Sequence, residues 1–224
     1  MSDVESELVR RRAAGQEVVL ATVVKTDGEP PSRPGEKILV DRSGAVAGTL
    51  GCSEFDAAAK ADASAFLDSG RPGLRTYDHE LGSIEVYLEP YPAPPTLIVL
   101  GATPVAAELV ELAGRLGFHV ATGPDAAGPG AYAVHTDHDD PRLVDDLERI
   151  LRAAPRFVGV MGSRRHTGHH LDELRRRGLP PEDVAAIQTP VGLDVGARGA
   201  PEIALSILAG LVAVRNGAAG GWKA

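Results

Sequence analysis

The sequence predicts an α/β protein, in which a small mixed α/β N-terminal domain is followed by a Rossmann-like domain built on a parallel sheet. Two observations predict this fold class. Closely spaced prolines in residues 89–95 resist both helix and sheet interiors, and they separate two halves with different patterns. After them, short apolar runs alternate with helical patterns, as expected for a parallel sheet with helices on both faces. We place the domains at residues 1–90 and 96–224.

The second half contains a regular succession of strand and helix patterns. The expected elements are a strand at 96–100, a helix capped by Thr103 with Pro104 at its first position, strands at 118–122 and 132–134, a helix opened by Asp140 and Pro141, a strand at 157–161, a helix at 166–177 and an apolar helix after Pro201.

The first half has fewer and more varied signals. The expected elements are a helix around residues 10–12, a strand at 18–24, a hairpin formed by 37–40 and 45–48 around the turn 41–44, a helix capped by Ser53 and a strand at 84–88.

Composition and charge exclude several classes of protein. The net charge of −8 argues against a nucleic-acid partner, which would need a basic footprint. The charge is uneven: residues 1–95 carry 10 basic and 16 acidic side chains, so the second half is the better place for an anionic ligand.

No apolar run approaches the ~20 residues of a membrane span, and we see no secretory signal. A single cysteine excludes an intramolecular disulfide and a Cys-rich zinc site. We therefore expect a cytoplasmic protein without a membrane partner.

The turn that follows the strand at 157–161 is the most informative motif. Gly162 and Ser163 precede Arg164 and Arg165, and a polar helix pattern follows them. Such a turn presents backbone N–H groups and two guanidinium groups at the carboxyl edge of a sheet, where α/β proteins bind anions. It predicts a phosphate-bearing small-molecule ligand; the alternative is a structural connection with solvated arginines.

Four segments, taken together, resemble the XdhC/CoxI family of accessory proteins that mature xanthine and carbon monoxide dehydrogenases. They are residues 23–40, 48–54, 159–165 and 192–198, and they occur in the family's order. The resemblance implies a chaperone, not an enzyme, that binds the molybdenum cofactor (molybdopterin). It also implies that the protein helps load a sulfurated form of the cofactor into a client molybdoenzyme. A cysteine desulfurase is a second candidate partner, and a homodimer is left open.

The resemblance also implies a set of binding residues. The residues implied for cofactor binding are Cys52, Glu54, Gly101, Gly162, Ser163, Arg164, Arg165, Gly192 and Asp194. Cys52 is either a thiolate near a helix start or a small buried hydrophobic residue. Asp194 either satisfies backbone donors in its turn, or accepts from a pterin-like ring or pairs with Arg164 or Arg165.

The glycine turn after the strand at 96–100 departs from a dinucleotide-binding motif. Gly101 is the only glycine kept from a Gly-x-Gly-x-x-Gly pattern, and Thr103 stands at the second glycine position. Its Cβ hinders close approach of a pyrophosphate, so binding of NAD or NADP is doubtful. The alternative function, an NAD(P)-dependent oxidoreductase, is further disfavoured because no proton donor for hydride transfer is evident.

Three histidines near the start of the helix at 166–177 are candidate metal ligands, but we do not predict a metal site there. His166, His169 and His170 share a spacing that puts them on one helix face, but no acidic residue lies among them. We therefore predict no metal site and interpret these residues as part of an exposed polar helix.

Overall fold

The computed structural model describes residues 3–221 and divides into two compact units, the first ending at Ala93 and the second beginning at Pro94. The elements of the first unit are α1 (Val4–Ala13), β1 (Val18–Gly28), β2 (Lys37–Asp41), β3 (Gly44–Gly48), α2 (Ser53–Ser69), β4 (Gly73–His79) and β5 (Gly82–Tyr91). Within residues 3–221, no helix is long and apolar enough to cross a membrane.

The first unit is one antiparallel sheet with a helix on each face. The strand order is β3-β2-β1-β5-β4. Alternate residues of a strand point to opposite faces, so Val19 and Ala21 of β1 join the core beneath α2, while Val18 and Leu20 form a smaller cluster with α1. The mixed α/β character predicted for this half is confirmed.

Three local predictions for the first unit need correction. We did not predict β4, because this edge strand exposes most of its side chains and buries only Tyr77, so it has no apolar alternation to detect. The helix α2 begins at Ser53, and Cys52 rather than Ser53 is its N-cap. The strand β5 continues into the proline-rich stretch as far as Tyr91, with Pro90 paired to Val19. β4 pairs no further than Leu88, so Pro90 lies where one side of β5 is an edge and proline is tolerated.

The second unit is a four-stranded parallel sheet between two layers of helices. Its elements are β6 (Thr96–Leu100), α3 (Pro104–Arg115), β7 (His119–Ala121), a short 3-10 helix (Pro124–Ala126), β8 (Tyr132–His135), α4 (Leu143–Arg152), β9 (Phe157–Val160), α5 (Arg164–Arg176), α6 (Pro181–Ala186) and α7 (Ala200–Asn216). In β6, Leu97 and Val99 face α3 and α7, whereas Ile98 and Leu100 face α4, α5 and α6. The predicted Rossmann-like fold class is confirmed.

Helix starts in the second unit differ from the prediction by a few residues. α4 begins at Leu143, because Asp140 closes a preceding turn by accepting a hydrogen bond from the Arg142 N–H at 2.9 Å. α5 begins at Arg164 rather than at His166, which places both adjacent arginines in its first turn. We did not predict α6, a six-residue helix with one buried side chain, Val184, which is too short for a periodic pattern.

The strand order β7-β6-β8-β9 creates a switch point between β6 and β8. The chain leaves β6 towards β7 on one side and returns to β8 on the other. The helices that follow β6 and β8, α3 and α4, therefore pack on opposite faces of the sheet. The carboxyl edge at such a switch point is where ligands bind in open α/β sheets.

We expect Leu109→Ala to destabilise the second unit by about 2–5 kcal/mol, because Leu109 is fully buried between α3 and the sheet. Its neighbour Val110 is 41% exposed, and Val110→Ala should change stability by about 0.5 kcal/mol or less. Urea unfolding followed by circular dichroism measures both. Equal effects of the two substitutions would contradict the assigned packing of α3.

Candidate functional site

The turn between β9 and α5 requires glycine at its first position. Gly162 has φ +130, and a Cβ there would lie 3.0 Å from the His138 ring. Ser163 is the N-cap of α5 but makes no side-chain cap bond; its hydroxyl lies 3.3 Å from Nδ1 of His166 instead. The His166 N–H donates to the Ser163 carbonyl at 2.9 Å. The N–H groups of Arg164 and Arg165, earlier in the first turn, have no partner within the helix and are not capped by the Ser163 side chain.

Arg164 and Arg165 extend from this turn into solvent. Both are exposed, and among residues 3–221 neither guanidinium makes an ion pair or a side-chain hydrogen bond. Two unpaired cations beside free N–H groups form a positively charged surface suited to phosphate.

Two buried threonines connect this turn to the loop that follows α6. Thr189 Oγ1 donates to the Gly162 carbonyl at 2.9 Å and lies 3.1 Å from Thr167 Oγ1. Thr167 and Thr189 are 1% and 2% exposed. Because the hydrogen bonds are shielded from water, the turn and the loop are held in a fixed relation.

The same loop carries Gly192 and Asp194 past the end of β9. Gln188 extends the sheet by one parallel bridge to Gly159, and the Val191 N–H then donates to the Val160 carbonyl at 3.1 Å. Gly192 has φ +108, and a Cβ there would lie 2.6 Å from the Ser206 hydroxyl of α7. Asp194 is exposed and, within the described residues, makes no ion pair with Arg164 or Arg165. The structure thus brings the two predicted turns to one edge of the sheet.

The turn after β6 is organised differently. Gly101 has φ +91, and a Cβ there would lie 2.7 Å from Thr136 Oγ1. Thr103 Oγ1 accepts from the Ala106 N–H at 3.2 Å and donates to Thr136 Oγ1 at 2.9 Å. The start of α3 is therefore capped by its own side chain, whereas the start of α5 is not.

Imidazole rings flank the Gly162 turn. His138, in the loop after β8, stacks on His166 with ring centroids 5.3 Å apart and planes 11° apart. His170 Nε2 lies 2.9 Å from the His138 carbonyl oxygen. Burial, reinforced by the neighbouring His169, lowers the pKa of His170 from its ordinary value. From the sequence we interpreted residues 137–140, which include His138, as a loop and helix cap. The contact of His138 with α5 could not be predicted, because the loop after β8 approaches α5 only through the strand order.

His135 lies at the end of β8 and is almost completely buried. Its Nδ1 accepts from the Asp137 N–H at 3.3 Å, while Nε2 has no hydrogen-bond partner within residues 3–221 and is 3.8 Å from Asp146 Oδ2. Burial lowers the pKa of His135 below 6.5, and the carboxylates of Asp140, Asp146 and Asp137 only partly oppose this. The ring is therefore neutral at neutral pH.

Cys52 and Glu54 belong to the first unit. Cys52 is partly buried at the start of α2, and Glu54 is in the first turn of that helix. Gly51 precedes them with φ +110, and a Cβ there would collide with the Pro31 carbonyl oxygen. The sequence did not indicate a third residue at this place, His79, whose Nε2 lies 3.4 Å from Glu54 Oε2.

Comparison with known proteins matches both units to one family. Residues 97–211 match the XdhC Rossmann domain, and residues 11–78 match the XdhC and CoxI family. The chain belongs to the XdhC and CoxI family. The resemblance inferred from the sequence is thereby confirmed.

Two curated relatives of this XdhC/CoxI protein come from Escherichia coli K12. One, the uncharacterized protein YqeB, is 25% identical over 240 aligned positions, which cover 90% of this chain and 44% of the relative. The other, the molybdenum cofactor insertion chaperone PaoD, is 36% identical over 78 positions, covering 35% of this chain and 24% of the relative. The chain spans less than half the length of both relatives.

A solved structure shares the fold of this family member. It is described as a xanthine dehydrogenase from Bacillus halodurans, and it superposes with a TM-score of 0.50 at 19% identity, covering 97% of this chain and 96% of that one. At this identity, the likeness concerns the fold alone.

In this XdhC/CoxI protein, we expect Thr189→Val to loosen the two turns. The substitution removes the donor to the Gly162 carbonyl and the contact with Thr167, which should cost about 1–3 kcal/mol. Thr189→Ser keeps the hydroxyl and should be close to the parent. Urea unfolding and amide hydrogen exchange at Gly162 measure the effect. A valine variant as stable and protected as the serine variant would contradict the network.

We expect the stability of the protein to fall as the pH is lowered through about 6.5. A histidine with a lowered folded-state pKa binds its proton more readily when unfolded, so its contribution is present above 6.5 and is lost below it. His135→Gln should reduce this slope, with His170 supplying part of the remainder. Unfolding free energies about one unit above and below pH 6.5 test this. An unchanged slope in the variant would show that His135 is not the titrating group.

Proposed function

We propose that this protein is a maturation factor for a molybdoenzyme and that it holds the molybdenum cofactor through the phosphate of the pterin at the Gly162–Arg165 turn. The observation that carries the proposal is the start of α5, where N–H donors not used by the N-cap side chain adjoin two guanidinium groups without partners among residues 3–221. The similarity to a relative described as a molybdenum cofactor insertion chaperone supports it.

The groups around this turn fit a phosphorylated, flat and polar ligand. Arg164 and Arg165 offer charge-assisted hydrogen bonds to phosphate oxygens. Asp194, exposed on the neighbouring loop, is an acceptor suited to the ring N–H groups of a pterin. The glycines at positions 162 and 192 keep side-chain atoms away from the backbone at both turns. The carboxyl edge of the sheet thus offers cationic groups for a phosphate, at Arg164 and Arg165, and a hydrogen-bond acceptor for a polar ring, at Asp194.

Gly101 and the turn after β6 have a secondary place in this proposal. The hydroxyl of Thr103 already occupies the Ala106 N–H, so the helix start that would receive a pyrophosphate in a dinucleotide-binding domain is in use. Gly101 instead allows the loops after β6 and β8 to approach one another closely. This arrangement favours the maturation factor over the alternative, an NAD(P)-dependent oxidoreductase.

In the first unit, Cys52 and Glu54 are the residues that we propose for contact with the cofactor or its sulfur. Cys52 is the only thiol of the chain, and it is the N-cap of α2. We extend the proposal to a client of the xanthine or carbon monoxide dehydrogenase type, a sulfurated cofactor and a cysteine desulfurase as the sulfur source. These finer points extend what the family resemblance implies and are proposals.

We expect the double variant Arg164→Ala/Arg165→Ala to retain at least about tenfold less cofactor than the parent, because each charge-assisted hydrogen bond contributes about 1.5–3 kcal/mol. The measurement is mass spectrometry of the small molecules released from purified protein, combined with a binding titration using isolated molybdenum cofactor.

The matched control is Arg175→Ala/Arg176→Ala, which changes the charge equally at the other end of α5. These arginines pair with Asp172 and Glu173, so the control should bind the cofactor like the parent. Equal retention by the parent and the Arg164/Arg165 variant would refute the placement of the phosphate. A protein with neither bound cofactor nor affinity for it would refute the proposed function.

A further inference from the structure

Cys52, Glu54 and His79 come together in the first unit although His79 is distant from the other two in sequence. Their potential ligand atoms, the Cys52 sulfur, a Glu54 carboxylate oxygen and a His79 ring nitrogen, all lie within 4.8 Å of one another. Two elements hold them, because Cys52 and Glu54 are at the start of α2 and His79 ends β4.

The spacing is close to that required around a single metal ion. Zinc bonds to nitrogen and oxygen of about 2.0 Å, at a tetrahedral angle, separate the two atoms by about 3.3 Å. The observed separation between His79 Nε2 and Glu54 Oε2 is 3.4 Å. A zinc–sulfur bond of about 2.3 Å places the sulfur about 3.5 Å from each of the other ligands. The Cys52 sulfur needs to move by at most about 1.3 Å towards the other ligands, even if it lies at the 4.8 Å limit.

Burial and charge also suit a cation. His79 has a side chain only 11% exposed and packs against the Phe55 ring at 5.6 Å, so one wall of the cluster is apolar. Cys52 packs against the core beneath α2. Glu54 is 70% exposed and faces solvent, which leaves an open coordination position. A thiolate and a carboxylate together supply two negative charges, which balance a divalent ion.

The His79 ring is already oriented. The Leu81 N–H donates to Nδ1 at 3.1 Å, and this leaves Nε2 facing Glu54. Coordination at Nε2 places the ring proton on Nδ1, so the ring gives up the Leu81 hydrogen bond when it binds a metal. The loss of one neutral hydrogen bond is small compared with the binding of a transition metal by three ligands. The Leu81 amide consequently reports on occupancy of the site.

We propose that Cys52, Glu54 and His79 form a three-ligand site for a divalent transition-metal ion, with zinc as the ion best matched to the mixed sulfur, nitrogen and oxygen ligands. Three protein ligands leave a fourth position for water or another ligand. From the sequence we predicted no metal site, because the histidines of α5 have no acidic residue among them; His79 was not considered there, since it is distant in sequence from Cys52. This site is independent of the phosphate position proposed for the second unit. It assigns a metal ion to Cys52 and Glu54, which are also the residues proposed above for contact with the cofactor or its sulfur.

Titration of the purified, metal-free protein with Co²⁺ tests the proposal directly. Cys52 is the only thiol, so a near-ultraviolet thiolate-to-cobalt charge-transfer band can arise only there. We expect one equivalent of Co²⁺ to produce the band and one equivalent of Zn²⁺ to remove it. Amide exchange at Leu81 should increase when the metal binds.

The variants separate this site from other metal-binding positions. Cys52→Ser should abolish the band, while His79→Gln, which keeps the thiol, and Glu54→Gln should each lower the affinity at least about tenfold, because even outer-sphere partners of metal ligands contribute about 10–100-fold. His119→Gln replaces an exposed histidine of the second unit and should leave the titration unchanged.

The cobalt titration distinguishes failure of the metal-site proposal from failure of the proposed function. The Arg164→Ala/Arg165→Ala variant should bind Co²⁺ like the parent. Cobalt bound without a thiolate band indicates the histidines of α5 and overturns the proposal, as does an affinity unaffected by His79→Gln. Circular dichroism of each variant establishes that it is folded, and a variant that fails to fold is replaced by His79→Asn or Cys52→Ala.

Discussion

The parallel pairing of β8 between β6 and β9 is the constraint on which the second unit depends. It aligns the carboxyl ends of the three strands, so that the turns after them emerge at one edge. The apolar side chains of these strands alternate between two helical layers, and burial of both faces fixes the register, since a shift by one residue would exchange the faces. The positions of the Gly162 turn and of the loop after β8 follow from this pairing.

The helices α3 and α5 both start at this edge of the sheet, but their first turns are capped differently. Thr103 satisfies the first turn of α3 from within the protein, and its hydroxyl is further anchored by Thr136. Ser163, at the corresponding place on α5, leaves the first turn without a side-chain cap and interacts with His166 instead. The first turn of α3 is thus capped by a side chain, and the first turn of α5 is not. This difference is the reason why the proposed phosphate position is at α5 and not at α3.

The fold class and most elements could be predicted from the sequence because they depend on local patterns. Apolar runs such as Leu97–Leu100 and the Thr103–Pro104 helix start carry their own signals. The elements that were missed lack such signals: β4 is polar apart from Tyr77, and α6 is too short. In the candidate sites, the adjacent arginines were recognisable, whereas His138 and His79 were not. Both histidines reach their neighbours through strand pairing and packing between residues distant in sequence, which a single sequence does not display.

The charge pattern at the start of α5 has a consequence for its energetics. Five other helices, α1, α2, α4, α6 and α7, carry acidic residues in the first turn, which complement the positive end of the helix dipole. In contrast, α5 carries Arg164 and Arg165 there and no acidic residue. Like charges thus meet at this helix end, and the folded protein retains a local electrostatic repulsion that the phosphate proposed for this turn would relieve. Under that proposal, binding of the ligand and ordering of the first turn of α5 would be thermodynamically linked.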